Sequence, residues 1–106
     1  MSGYLQVSTA TATREEAVRL GGSAVEAGLA AGAQVVGPVV SVFWHEGQYG
    51  EGEEWQLLLK TTERSYAKLE AHLLLAHSWS NPEVCAVPIT MGSAGYLDWL
   101  DRTTKG

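Results

Sequence analysis

The spacing of apolar positions predicts four strands and three helices along this chain. Apolar and polar residues alternate in a predicted strand, and apolar residues recur every three or four positions in a predicted helix. The predicted strands cover residues 4–9, 33–45, 53–62 and 84–89, and the predicted helices cover residues 13–28, 62–76 and 93–100. This order, β-α-β-β-α-β plus a final helix, predicts an α+β, ferredoxin-like fold in which two helices cover one face of an antiparallel sheet.

The first helix opens with the pattern of a capping box at Thr13-Arg14-Glu15-Glu16. The Thr13 hydroxyl is expected to accept a hydrogen bond from the amide of Glu16, and the Glu16 carboxylate to reach back to the cap. Two glycines, Gly21 and Gly22, lie inside this helix, and each costs about 1 kcal/mol relative to alanine. Either the helix packs closely against a neighbour there or it is locally weak.

The central pair of strands is predicted to project from the domain as a long hairpin. Thirteen residues, 33–45, extend over roughly 40 Å, whereas a chain of this length has a radius of gyration of about 13 Å. Gly37-Pro38 predicts a bend or bulge on the way. Such a hairpin needs a covering partner, which predicts a symmetric oligomer, either a dimer or a larger ring. The residues predicted at the interface are Val42, Phe43, Trp44 and Trp55.

Composition bounds the class of protein. The 106 residues predict one domain, residues 1–106 with a core of about 4–102, and 45% apolar against 18% charged residues exclude disorder. Seven scattered bases and a net charge of −5 argue against a nucleic-acid partner. No apolar run is long enough to cross a membrane, and no signal peptide is evident at the start, so we expect a cytoplasmic protein without a membrane partner.

The sequence offers little support for catalysis. It contains no Gly-x-Ser-x-Gly elbow, no phosphate loop and no dinucleotide-binding glycine motif. The single cysteine, Cys85, excludes an internal disulfide and alternates with Val87 and Ile89 in a predicted strand, so it is expected to be a small core residue. An enzymatic role would depend on His77 near hydroxyl groups, without a motif, and the chain is therefore not expected to be an enzyme.

Five short motifs lie along the chain: Leu29-Ala30-Ala31, residues 41–47 (SVFWHEG), Lys60-Thr61-Thr62, His77-x-Trp79-x-x-Pro82-Glu83 and Gly95-Tyr96-Leu97-Asp98-Trp99. In this order and register, over residues 4–102, they resemble the CutA family of divalent-cation tolerance proteins. The resemblance implies a ferredoxin-like fold, a tight homotrimer related in architecture to the PII signalling proteins, and a role in tolerance to copper and other divalent metals. It also implies that the oligomer has three subunits, a number that the hairpin argument leaves open.

The chain departs from the family pattern at the positions associated with copper. Gly32 and Ser8 stand where family members carry cysteine, and Ser78 stands where they carry proline. Of the residues offered as copper ligands only His77 is present, and thiolates are the ligands that favour Cu(I). Further donors for a divalent ion are His45, Glu46, Glu51, Glu53 and Glu54. In the alternative interpretation the acids solvate a turn and His45 ends a strand. No cofactor is required, and copper or another divalent ion is expected to bind weakly at most.

A second group of residues suggests a binding pocket between subunits, because it combines one cation, hydroxyls and aromatic rings. Its members are Lys60, Thr61, His77, Trp79, Glu83, Tyr96 and Trp99. In the alternative interpretation the aromatic residues are trimer core and Lys60 pairs with an acid such as Glu83.

From the family resemblance, the expected function is that of a homotrimeric protein of divalent-cation tolerance and metal homeostasis. The alternative is a PII-like sensor that binds a small anionic metabolite or a nucleotide in the inter-subunit cleft.

Overall fold

The computed structural model describes residues 3–105; Met1, Ser2 and Gly106, which the predicted domain of residues 1–106 includes, lie outside the described residues. The strands pair antiparallel in the order β2-β3-β1-β4. This is the predicted α+β, ferredoxin-like arrangement, which is confirmed. The elements are β1 (Tyr4–Thr11), α1 (Arg14–Glu26), β2 (Gly32–His45), β3 (Gln48–Thr62), a 3-10 turn (Glu63–Ser65), α2 (Tyr66–Ala76), β4 (Cys85–Pro88) and α3 (Ala94–Thr103).

The hydrophobic core lies between one face of the sheet and the two longer helices. Because side chains alternate across a strand, Leu57 and Leu59 of β3 point to this face while Leu58 and Lys60 point to the other. The core cluster consists of Val7, Ala17, Leu20, Ala24, Ala30, Leu57, Leu59, Leu69 and Leu73. The opposite face of the sheet is left to α3, which covers only part of it.

The first half of the predicted capping box is present, and the second half is wrong. The amide of Glu16 donates to the Thr13 hydroxyl at 3.1 Å, which satisfies one of the free donors at the start of α1. The Glu16 carboxylate does not return to the cap. It accepts hydrogen bonds from Ser78, which follows α2, and this long-range partner outcompetes the local one.

Gly21 explains why a glycine is placed inside α1. A Cβ atom at this position would lie 2.9 Å from Leu57 Cδ1 and 3.2 Å from Ala33 Cβ, so the helix packs closely on the sheet here. Gly22 faces away, and nothing lies within 4 Å of the corresponding Cβ position. Close packing, one of the two explanations offered for the glycine pair, therefore applies to the first glycine alone.

The hairpin of β2 and β3 projects as predicted. The molecule measures 44 × 25 × 21 Å, and the strand register shifts between Val36 and Val39, on either side of Gly37-Pro38. Val42 and Trp44 are 58% and 74% exposed in the single chain, and Phe43 is also exposed. Trp55 is less exposed than these three residues, and its place at the interface stays a prediction. It is half-buried within its own chain, because its ring packs over Gly37 and against the core.

Cys85 is not the core residue that the alternation suggested. It lies in β4 as expected, but it pairs with Ser8 on the sheet face that α1 and α2 leave uncovered, and it is exposed. Its sulfur lies 3.5 Å from the Ser8 hydroxyl and 3.6 Å from the carboxylate of Glu83. The period of the strand was predicted correctly, and its buried face was not.

Arg64 holds α3 in place on the sheet. Its guanidinium donates to the Asp101 carboxylate at 2.7 Å and to the backbone oxygens of Asp101 and Thr104 at 2.9 and 3.0 Å. A cation is favourable here because the last carbonyls of a helix carry partial negative charge. This contact orients the helix that carries Tyr96 and Trp99.

Candidate functional site

His77, the one family copper ligand present, is buried and engaged through both ring nitrogens. Its side chain is 0% exposed. Nε2 lies 2.7 Å from the carbonyl oxygen of Ala10, and because a carbonyl only accepts, Nε2 carries the proton. Nδ1 then accepts from the amide of Trp79 at 3.0 Å, and the two rings lie 5.2 Å apart. The imidazole thus joins the end of α2 to β1.

Glu16 completes this buried junction. Its carboxylate accepts from the amide and the hydroxyl of Ser78, each at 2.9 Å, and lies 3.6 Å from Nδ1 of His77. Arg19 approaches the same carboxylate at 3.8 Å from the solvent side. Bonds to a charged carboxylate are among the stronger hydrogen bonds in proteins. The geometry is that of a structural clamp between α1 and the segment after α2.

The described residues do not supply a preformed site for a divalent cation. Metal sites in proteins bring several imidazole, thiolate or carboxylate donors together, and no group of three or more such residues occurs within residues 3–105. His77 as a ligand stays a prediction, and it requires one ring nitrogen to leave its present backbone partner. His45 and Glu46 lie at the exposed tip of the hairpin, with Nε2 3.8 Å from the carboxylate oxygen.

Lys60 lies at the centre of a different site. It is half-buried on β3, where Gln6 and Gly32 are its neighbours on the adjoining strands. A shallow cavity of about 210 Å³ opens beside it, lined by Gly32, Ala33, Gln34, Leu58, Lys60 and Tyr96. Sequence reasoning identified the lysine and the tyrosine and missed Gly32 and Gln34, which only the pairing of β2 with β3 brings to this place.

Glu83 is not the partner of Lys60. Its carboxylate accepts instead from the Ser8 hydroxyl at 3.2 Å and lies beside the thiol of Cys85. The alternative ion pair is therefore wrong within one chain. Across residues 3–105, the ammonium of Lys60 has no acidic partner.

The remaining predicted pocket residues are divided between the two faces of the sheet. Thr61 is buried on the helix-covered face, where its hydroxyl donates to the carbonyl of Leu29 at 2.7 Å. The rings of Tyr96 and Trp99 lie 5.6 Å apart on α3, and Trp99 lies over Gly32 near the cavity. Within one chain the predicted residues form no single pocket, and their meeting in a cleft between subunits stays a prediction.

Comparison with known proteins shows strong similarity over nearly the whole chain. Residues 5–103 match the family described as "CutA1 divalent ion tolerance protein". The divalent-cation tolerance protein CutA of Thermus thermophilus is 35% identical over 100 residues, which cover 93% of this chain and 97% of the relative. The corresponding Archaeoglobus fulgidus protein is 34% identical over 91 residues, 86% of this chain and 88% of the relative.

Solved structures agree with the sequence comparison. The Thermus thermophilus Cut A1 structure superposes with a TM-score of 0.93 at 32% identity, covering 96% of this chain and 99% of that one. The rice CutA1 structure gives 0.93 at 34% identity, covering 97% of this chain and 94% of that one. These matches extend over nearly the full length of the fold. The chain therefore belongs to the CutA1 divalent ion tolerance protein family.

Proposed function

We propose that this chain acts in divalent-cation tolerance as a homotrimer that binds copper or another divalent ion weakly at most, and that it is not an enzyme. The observation that carries the proposal is the uncovered hairpin. Val40, Val42 and Trp44 alternate along β2, so their exposed side chains share one face. A monomer would leave this apolar stripe in water, which favours association.

The backbone of β2 also supports association with another copy of the chain. Among the described strands, β2 pairs only with β3 and is an edge of the sheet. An exposed edge with apolar side chains is a template for pairing with another chain. A neighbouring copy that covers the hairpin would satisfy the edge and remove Trp44 from water. The number three comes from the family resemblance.

Light scattering after gel filtration tests the homotrimeric state directly. A homotrimer has a mass of about 34 kDa, three times the 11.4 kDa of one chain. We expect this mass at micromolar concentration, with no folded monomer on dilution, because folding and assembly are coupled when a large interface completes the structure. A well-folded species near 11.4 kDa would refute the homotrimer.

A second candidate function is a sensor, related in architecture to the PII proteins, that binds a small anionic metabolite or a nucleotide. The observation that favours it is the half-buried Lys60 beside a cavity, without an acid to neutralise it in the described chain. A thermal-shift screen of organic acids and nucleotides tests it, because a ligand that binds only the folded state raises the midpoint of unfolding. No shift at millimolar concentration would argue against this function.

The proposed location is the cytoplasm. One exposed cysteine in 106 residues gives no disulfide, which is typical of reducing compartments. Within the described part of the chain, no helix is long and apolar enough to cross a membrane. The solved Archaeoglobus fulgidus relative is described as a periplasmic protein, so fractionation of cells that express the untagged chain is the measurement that checks this location.

A further inference from the structure

We infer that the cavity beside Lys60 binds a small organic carboxylate with a single negative charge, and that Gln34 and Tyr96 help to hold it. This inference rests on the sensor function proposed above and narrows its ligand class. The cavity is built by three elements of one chain, since β2 supplies Gln34, β3 supplies Lys60 and α3 supplies Tyr96. The site therefore exists in each subunit.

The polar groups of the lining are available to a ligand. The side chains of Lys60, Gln34 and Tyr96 make no hydrogen bond to any residue between positions 3 and 105. Lysine offers three N–H donors, glutamine offers two, and a phenol offers one, and together they match the acceptor oxygens of a carboxylate. A hydrogen bond that involves a charged group is stronger than one between neutral groups.

The size of the cavity selects a small ligand. Its volume of about 210 Å³ is below the range of roughly 300–1,000 Å³ that is usual for pockets that enclose drug-sized molecules. A short-chain carboxylate fits this space, whereas most of a nucleotide would lie outside the cavity, in solvent.

The charge of the site selects a monoanion. Lys60 is the one cation among the lining residues, and the chain as a whole carries a net charge of −5. A single carboxylate is neutralised by one ammonium group, whereas the further charges of a polyphosphate would meet no cation here and would be repelled by the acidic protein. Leu58 adds apolar wall for a short hydrocarbon chain.

Gly32 keeps the cavity open. It lies opposite Lys60 on β2, and a Cβ atom there would contact Trp99 at an ordinary 3.6 Å, so the fold itself tolerates a side chain. A larger residue would occupy the space between Trp99 and Lys60. Gly32→Val, which suits a strand, therefore tests the volume of the site separately from its charge.

The experiment is an NMR titration of the untagged full-length protein with butyrate, with butyramide as the neutral control. We expect butyrate to shift amide signals of residues 32–34, 58–60 and 94–99, and butyramide to shift none. Lys60→Gln should weaken binding about tenfold or more, because it removes a charged hydrogen bond. Gly32→Val should weaken it several-fold by filling the cavity. Lys105→Gln, which removes one positive charge outside the cavity, should bind butyrate like the unmodified protein.

Three results would overturn the inference. They are unchanged affinity in Lys60→Gln, equal binding of butyramide, and ATP binding more tightly than butyrate. If phosphate or ATP shifts the same signals and butyrate does not, the carboxylate inference fails and the sensor function survives. If no anion shifts any signal up to about 20 mM, a range that would reveal even millimolar dissociation constants, both fail. Light scattering on the same samples establishes that each variant is folded and keeps the mass of the unmodified protein.

Discussion

The carboxylate of Glu16 and Ser78 are joined by two hydrogen bonds of 2.9 Å, one from the serine amide and one from its hydroxyl. Glu16 lies in the first turn of α1, and Ser78 follows the end of α2, 62 residues later. Only 10% of the glutamate side chain is exposed. The pair therefore fixes the relative position of the two core helices and encloses His77.

We expect Glu16→Gln to lower the free energy of unfolding by about 1–3 kcal/mol, because the carboxylate of this largely buried side chain loses its charge-assisted bonds to Ser78. Chemical denaturation at one fixed protein concentration measures the change. The matched control is Glu15→Gln, which removes an exposed carboxylate from the same helical turn. Equal effects of the two substitutions would show that the bonds to Ser78 contribute nothing beyond the helix-end charge.

Tyr66 links stability to alkaline pH. Burial, then the hydrogen bond to Glu70 at 3.0 Å and the nearby negative charge, raise the pKa of Tyr66 above its ordinary 10.0. The folded state holds the phenol proton more tightly than the unfolded state, so this stabilisation is complete below pH 10 and is lost as the pH rises through the folded pKa.

We therefore expect Tyr66→Phe to reduce the fall in unfolding free energy above pH 10. Denaturation curves over a series of alkaline pH values, together with the tyrosinate absorbance, measure this. Tyr49→Phe, at the exposed tip of the hairpin, is the control. The explanation would be wrong if both variants kept the slope of the unmodified protein.

The glycine pair in α1 predicts opposite responses to the same substitution. Gly22→Ala should raise the free energy of unfolding by about 0.5–1 kcal/mol, because alanine favours the helix and its methyl group meets nothing within 4 Å. Gly21→Ala should lower it by about 1–3 kcal/mol, because the added methyl group overpacks against Leu57 and Ala33. Thermal and chemical denaturation of the two single variants check the signs, and a stabilised Gly21→Ala would contradict the close packing.

Because the exposed hairpin is expected to be covered by a neighbouring subunit, a substitution that prevents assembly should also prevent stable folding. Trp44→Glu places a charge in the exposed apolar stripe of β2, and we expect aggregated or unfolded material in place of a stable monomer. Gln48→Glu adds the same charge at the polar turn of the hairpin and should leave the oligomer intact. Light scattering with circular dichroism distinguishes the outcomes. A folded, monomeric Trp44→Glu protein would show that the stripe is dispensable for folding.

Calorimetric titration with Cu²⁺ distinguishes His45 from His77 as a ligand. Cu²⁺ is the divalent ion of its row that nitrogen ligands bind most tightly, and we expect only weak heats. His77→Ala should leave these heats unchanged and lower the midpoint of thermal unfolding, because its ring nitrogens already serve backbone groups. His45→Ala should reduce the heats, because that imidazole is exposed beside Glu46. Loss of heat in His77→Ala alone would establish His77 as the ligand.

Some features follow from the sequence because their causes are local. The Thr13 cap needs only the next three residues, and the long hairpin follows from a Val-rich run that is interrupted by a bend at Gly37-Pro38. The order of strands and helices, read from periodicity, restricts the topology to the observed one through the handedness of the connections. The five family motifs identify the family because they lie in register along the whole chain.

Other features, such as which face of a strand is buried, depend on contacts between residues that are distant in the sequence. Periodicity places Thr61 and Lys60 on opposite faces of β3, but only packing shows that the helices bury the first and leave the second beside a cavity. The same choice of face exposes Cys85 on β4.

The Glu16 carboxylate illustrates the physical reason most directly. Its local partner in the capping box and its distant partner Ser78 have similar chemistry, so the sequence favours the nearer one. Folding brings the exposed Ser78 beside the Glu16 carboxylate, whose own side chain is only 10% exposed, and aligns two donors on that charged group. Sequence by itself determined the elements and their order, and the tertiary structure decided which side chains meet, because burial and alignment depend on the whole fold.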